Sequence, residues 1–337
     1  MKIKKLHIKN FKSIADLEII EPNPFTVFVG PNGSGKSNIF EALEFFCSSL
    51  DVSIKLKLFG GEEELKSFRN NDIQYQYFYS IETDTFVTNT TGQYFSKKDL
   101  EENPHSFRVL SLSNVTTSEK TELEEKLIEI FNEGFSRVFV SNQKIEKLPF
   151  SDSSKLNLST SNLEKVLKRI LKDSLLREEI SDWLSLFIPG FERVEVISSE
   201  LSGTDTLVIY EKGTDRPFTK NLLSDGTYNI LALLTAVFQS DEPQFLCIEE
   251  PENGLNPKVI KELVGLFRYA CEEKGHYIWL NTHSQSLVSQ LEPHEIILVN
   301  KKEGETKVKQ LKKDLNLYGL PMDEAWLSNA LGGGLPW

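Results

Sequence analysis

The most constraining feature of this chain is a short apolar run, Phe25 to Val29, that passes directly into Gly30-Pro31-Asn32-Gly33-Ser34-Gly35-Lys36-Ser37. The octapeptide fits G-x-x-x-x-G-K-[ST] at every fixed position, and behind it Ile39, Ala42, Leu43 and Phe46 fall at helical spacing. Strand, glycine-rich turn and helix in that order is the context in which this motif wraps an anion. The glycines let backbone N–H groups converge where a Cβ would obstruct them. The new helix aims the positive end of its dipole at the same point. A short, fully apolar strand belongs in a parallel sheet covered on both faces, so an α/β fold is expected. Asn32, Gly33, Ser34, Gly35, Lys36, Ser37 and Asn38 are the candidate residues for a nucleoside triphosphate. Lys36 is placed to reach the β- and γ-phosphates, and the Ser37 hydroxyl to ligate Mg2+.

A phosphate loop alone names no reaction, and three later segments carry further chemistry. Phe245-Leu246-Cys247-Ile248-Glu249-Glu250 is an apolar strand ending in two carboxylates. Strand ends of this kind are where a metal and an attacking water are managed. Leu223-Ser224-Asp225-Gly226-Thr227 precedes an apolar helix and puts Ser224 at its N-cap, and Asn281-Thr282-His283 closes another short strand. Singly these read as a helix cap, a loop histidine and solvated strand-end charges. Their order behind the phosphate loop argues for a single catalytic set.

The remainder of the chain reads as α/β on both sides of an insertion. Lys2 to Val29 reads as strands, with a turn at Asn10 to Ser13 and a second strand over Leu17 to Ile20. Between about 60 and 190 the pattern changes. Ile73, Tyr75, Tyr77, Tyr79 and Ile81 alternate as one face of a strand. That face suits a one-sided sheet core, and a tyrosine row that stacks bases is the other reading. Asn89 to Gly92 reads as a turn, followed by helical stretches near 119–133 and 160–187. From about 191 short strands return, with helices alternating around Phe245–Ile248, Tyr277–Leu280 and Glu295–Asn300.

Composition limits the function classes. The net charge of −12 over 337 residues opposes a surface that grips nucleic acid throughout. Lysines still gather at 2, 4, 5, 9 and 12 and at 301, 302, 307, 309, 312 and 313, as blunted strand edges or as phosphate contacts. The longest near-apolar run, Leu231 to Phe238, is too short to span a bilayer, which takes about 20 residues. No apolar h-region follows the N-terminal lysines. Cys47, Cys247 and Cys271 lack metal-ligand spacing. A cytoplasmic protein without a membrane partner is expected.

On these residues the chain resembles the ABC-type ATPase heads of the SMC, RecF and OLD-like group, most closely the stand-alone heads of bacterial defence systems. The likeness covers Met1 to Ser13, Gly30 to Asn38, Leu223 to Leu234, Ile248 to Pro257 and Thr282 to Ser284. It implies an α/β P-loop fold of ABC-ATPase type, a mixed sheet core with an antiparallel β lobe and an inserted helical subdomain. The core would comprise 1–60 and 190–337, and the inserted lobe 60–190. It further implies ATP as substrate with Mg2+ as cofactor. Glu249 would take the metal-side Walker B position, Glu250 that of the base polarising the attacking water, and His283 that of the γ-phosphate switch. Ser224 and Gly226 would belong to the signature loop that reaches a partner's ATP, and Asn253 to Asn256 to the D-loop at the dimer seam. The signature lacks the transporter form, and Gln74, Gln76, Gln93 and Gln143 remain alternatives for the Q-loop.

The stretch between P-loop and signature is too short for long coiled-coil arms, and the 54 residues after His283 contain no Asp-x-Asp pair. The fused TOPRIM nuclease of OLD proteins is therefore expected to be missing. The leading expectation is an ATPase that forms a homodimer across ATP and controls a separate effector, a TOPRIM or HNH nuclease, in anti-phage defence. A RecF-like ATPase bound to duplex DNA and a non-hydrolysing scaffold are the alternatives.

Overall fold

The computed structural model describes residues 3–47, 52–65, 75–83, 87–94, 109–112, 134–140, 154–198, 203–317 and 319–334. The chain falls into two compact units, Met1–Phe135 with Leu291–Trp337, and Ser136–Gln290.

In the first unit β1 (Ile3–Phe11) and β2 (Ile14–Ile20) form a hairpin whose register runs from Lys5↔Ile20 to Phe11↔Ile14. Ile3, Leu6, Ile8 and Phe11 are all buried. β3 (Phe25–Val29) is buried along its whole length, as its unbroken apolar run requires. It leads through the glycine-rich loop into α1 (Lys36–Cys47). Phe28 and Phe40 pack edge to face, and Phe11, Phe45, Phe46 and Phe59 form an aromatic cluster beyond them. Two short helices follow, α2 (Val52–Leu58) and α3 (Glu62–Leu65).

β4 (Tyr75–Thr83) pairs antiparallel with β1, β5 (Val87–Tyr94) with β4, and β6 (Val109–Leu112) with β5, giving the order β2-β1-β4-β5-β6. Asn89–Gly92, expected as a turn, therefore lies inside β5, paired from Asn89↔Ser80 to Gly92↔Tyr77. Cross-strand pairing overrides the local turn preference. The expected strand starts at Tyr75, and both Ile73 and the helical stretch near 119–133 lie outside the described residues.

The second unit begins within β7 (Phe135–Phe139), at Ser136. The single helical stretch expected over 160–187 is two helices, α4 (Leu163–Ile170) and α5 (Ser174–Phe187). Asp173 breaks them by capping α5, accepting from Leu175 N and Leu176 N. β8 (Phe191–Ser198), β9 (Asp205–Glu211) and β10 (Phe218–Thr219) make a small antiparallel sheet. α6 (Asp225–Phe238) is followed by β11 (Phe245–Glu249), α7 (Pro257–Glu273) and β12 (Tyr277–Thr282). β11 and β12 are parallel with Glu249 opposite Asn281, and β7 borders β11. Asn256 caps α7 and Pro257 occupies its first turn.

After the one-turn helix α8 (Gln285–Val288) the chain returns to the first unit. There β13 (Ile296–Lys302) runs parallel to β3 and antiparallel to β14 (Glu305–Gln310). α9 (Met322–Leu327) follows. Parallel and antiparallel pairs together make this a mixed-sheet α/β fold. Among the described residues no helix is long and apolar enough to cross a membrane.

Candidate nucleotide site

The phosphate loop is held by its neighbours rather than by its own sequence alone. Gly35 has φ +98°, and a Cβ there would lie 1.9 Å from Thr306 Oγ1, so only glycine fits. Thr306, fully buried on β14, donates from Oγ1 to Ser34 O at 3.0 Å, and its N–H donates to Ser13 O at 2.8 Å. Its hydroxyl also lies 2.6 Å from Ser13 Oγ, which accepts from Asn38 Nδ2 at 2.6 Å. The β1–β2 turn and β14 thus clamp the loop at Ser34 and Asn38. Lys36 is buried and turns its ammonium onto the loop carbonyls, donating to Gly30 O at 2.7 Å and Pro31 O at 2.9 Å. Asn32, Gly33 and Ser37 lie exposed on the same loop.

In the second unit the two carboxylates at the end of β11 have different surroundings. Glu249 is 3% exposed. Its Oε1 accepts from Arg137 Nε at 2.7 Å and from Arg137 Nη2, and its Oε2 accepts from Asn281 Nδ2 at 3.2 Å. Glu250 sits beyond the strand at φ +46°, a conformation that costs a non-glycine residue energy and clusters at functional positions. Its N–H is fixed by Asn281, through the backbone O at 3.1 Å and Oδ1 at 3.2 Å. Its Oε2 accepts from Asn253 Nδ2 at 2.9 Å. His283 Nδ1 lies 3.0 Å from Glu250 Oε1, near enough for an ion pair but off the line of a hydrogen bond. Thr282 Oγ1 donates to the buried Glu252 and accepts from Ser284 N at 2.9 Å, which fixes the turn presenting His283.

The same network extends to the start of α6. Ser224 caps the helix, accepting from Thr227 N at 3.1 Å, and is exposed. A Cβ at Gly226 would come within 2.7 Å of Gly254 O, so glycine is required where the helix meets the turn after β11. Asn229 Nδ2 donates to Asn253 O at 2.8 Å. Asn253 thereby bonds Glu250 with its side chain and α6 with its backbone.

The structure thus brings Glu250 and His283 together, seats Glu249 apart on Arg137, and joins Gly226 to the Glu250 turn. Sequence reasoning missed Arg137, Thr306 and the clamping role of Ser13. Arg137 carried one signal, a lone arginine within the strand-like Phe135-Ser136-Arg137-Val138-Phe139. Of the glutamines left open for the Q-loop, Gln76 and Gln93 are register partners on β4 and β5, and Gln74 and Gln143 lie outside the described residues. Cys47, Cys247 and Cys271 are buried, and none forms a disulfide.

The donor types suit Mg2+, a hard cation that takes oxygen ligands and needs only one or two carboxylates beside substrate phosphates. Ser37 offers a hydroxyl at the loop, and Glu249 a buried carboxylate that already requires a positive partner.

The family described as "AAA domain, putative AbiEii toxin, Type IV TA system" matches residues 25–289. An ATP/GTP phosphatase of Helicobacter pylori is 23% identical, over 95% of this chain and 94% of that protein. The chromosome partition protein Smc of Methanocaldococcus jannaschii is 54% identical over 13% of this chain and 4% of its own length. Among solved structures, an Smc head bound to the C-terminal winged-helix domain of ScpA aligns at TM-score 0.63 and 19% identity, over 93% of this chain and 98% of that one. The SMC head domain of Thermotoga maritima aligns at TM-score 0.53 and 16% identity, over 93% of this chain and all of the other.

Proposed function

This chain belongs to that AAA-domain family and is an ATP hydrolase of the SMC/RecF-like ABC type; on this premise we propose that two copies close around ATP and Mg2+ as a switch for a separate effector. The observation that carries the reading is the chain of contacts from His283 through Glu250 and Asn253 to α6. It ties the carboxylate that would polarise the attacking water to the signature loop that would meet a partner's γ-phosphate. Glu250 is the base, His283 the γ-phosphate sensor and Lys36 the charge on the β- and γ-phosphates. Ser37 and Glu249 would be the residues to hold Mg2+, which would supply charge neutralisation at the phosphates.

Two signature loops add contacts to ATP only in the closed pair, so ATP favours closure and hydrolysis removes that preference. The effector is a separate chain, a TOPRIM-like or HNH nuclease in anti-phage defence. A duplex-DNA reading is weakened by the lysines themselves: Lys5 pairs with Glu18, Lys9 with Asp16 and Lys307 with Glu305.

Mixing two inactive variants tests the composite site. Lys36→Ala lacks the phosphate-side charge, and Ser224→Arg puts bulk and charge where the partner's γ-phosphate would sit. In a mixed dimer one of the two sites pairs an intact P-loop with an intact signature. Partial recovery of turnover on mixing is expected. Full activity of Ser224→Arg alone, with normal folding, contradicts the reading.

A further inference from the structure

Arg137 has no place in the reading above, yet it is ion-paired to a carboxylate of the second unit's network. Its side chain is 8% exposed and that of Glu249 3%. Two of its guanidinium nitrogens converge on one oxygen, Glu249 Oε1, while Asn281 occupies Oε2. An ionised carboxylate buried without a cation is strongly disfavoured, and the Arg137 guanidinium supplies the positive partner for Glu249 here. An oxygen accepting two N–H donors has little lone-pair density left for a metal that demands near-ideal octahedral geometry. Guanidinium and Mg2+ on one buried oxygen would also repel each other at close range.

We propose that Arg137 is the resident counter-ion of Glu249 in the metal-free protein and that Mg2+ reaches this carboxylate by displacing the guanidinium. This rests on the assignment of Glu249 to the metal. Arg137 then acts as a positioning residue. It keeps the carboxylate aimed while no metal is present, and it lowers metal affinity by the cost of its own displacement. Because Arg137 sits on β7, beside β11, loading the metal alters the tie between those two strands.

The test measures Mn2+ binding to the full chain by electron paramagnetic resonance, with the non-hydrolysable analogue AMPPNP at saturation. Arg137→Gln is expected to bind Mn2+ more tightly, on the order of tenfold, the scale on which groups behind a metal ligand tune affinity. Its EDTA-treated form should melt below wild type, and Arg137→Lys, which keeps the charge without the fork, should fall between the two. Unchanged or weaker Mn2+ binding by folded Arg137→Gln, with binding lost in Glu249→Gln, overturns the displacement alone. Wild-type Mn2+ affinity in Glu249→Gln overturns the metal assignment and this inference with it. Should Arg137→Gln fail to fold, hydrogen exchange at arginine Nε–H in the wild type decides. Protection present in EDTA and lost with Mg2+ and AMPPNP is expected, and unchanged protection overturns the proposal.

Discussion

Lys36 and Thr306 act on one loop by different means, the first with charge and the second with a single hydrogen bond. Thr306 Oγ1 supplies the donor to Ser34 O, and Thr306→Val removes that donor while keeping the shape. An orphaned buried acceptor costs about 1–3 kcal/mol. Thr306→Val is therefore expected to lower the melting temperature and to raise the KM for ATP several-fold more than it lowers kcat, with Thr306→Ser restoring both. Steady-state kinetics and thermal melts check this, and wild-type kinetics in the valine variant contradict the clamp. The contrast also marks what was legible at this scale. Gly30 to Ser37 are consecutive, so the motif shows in the sequence. Thr306 is separated from Ser34 by 272 positions, and no spacing rule reaches that far.

At the scale of elements, the continuous apolar runs announced themselves. β3, α6 and β11 were readable because burial makes most positions along them apolar. The strand at Asn89–Gly92 was not, because its pairing partner β4 decides the conformation and local propensity does not.

A polar junction joining α6, β11 and β12 was equally invisible. His276, wholly buried, accepts from Gln244 N through Nδ1 at 3.3 Å and bonds Val237 O through Nε2 at 3.1 Å. Burial pushes its pKa down from 6.5 to about 4. Above pH 6.5 the ring is neutral folded or unfolded, and its contribution to stability is fully present. As pH falls from 6.5 toward 4 the unfolded chain takes up a proton that the folded chain refuses, and about 3 kcal/mol is lost. In urea titrations at stepped pH, His276→Gln should start less stable at pH 7.5 and lose less than wild type on reaching pH 5. Parallel profiles would show that His276 does not titrate with unfolding.

At the scale of the whole molecule, the family and the α/β core were legible because four short motifs fall in a fixed order. The organisation between them was not. β4 joins β1 across a long stretch of sequence, a non-local pairing that no pattern within either segment discloses. The charge of −12 and the lysines paired with carboxylates reduce the positive surface open to nucleic acid.

The central claim is that Glu250 ends an ATP-bound closed pair, and light scattering of Glu250→Gln tests it most directly. With the base removed and the ATP geometry kept, the variant with Mg2+ and ATP should scatter as a dimer. The same variant without ATP should scatter as a monomer, and the wild type should return to a monomer as its ATP is consumed. A Glu250→Gln protein that hydrolyses ATP at the wild-type rate, or stays monomeric at saturating ATP, contradicts the account.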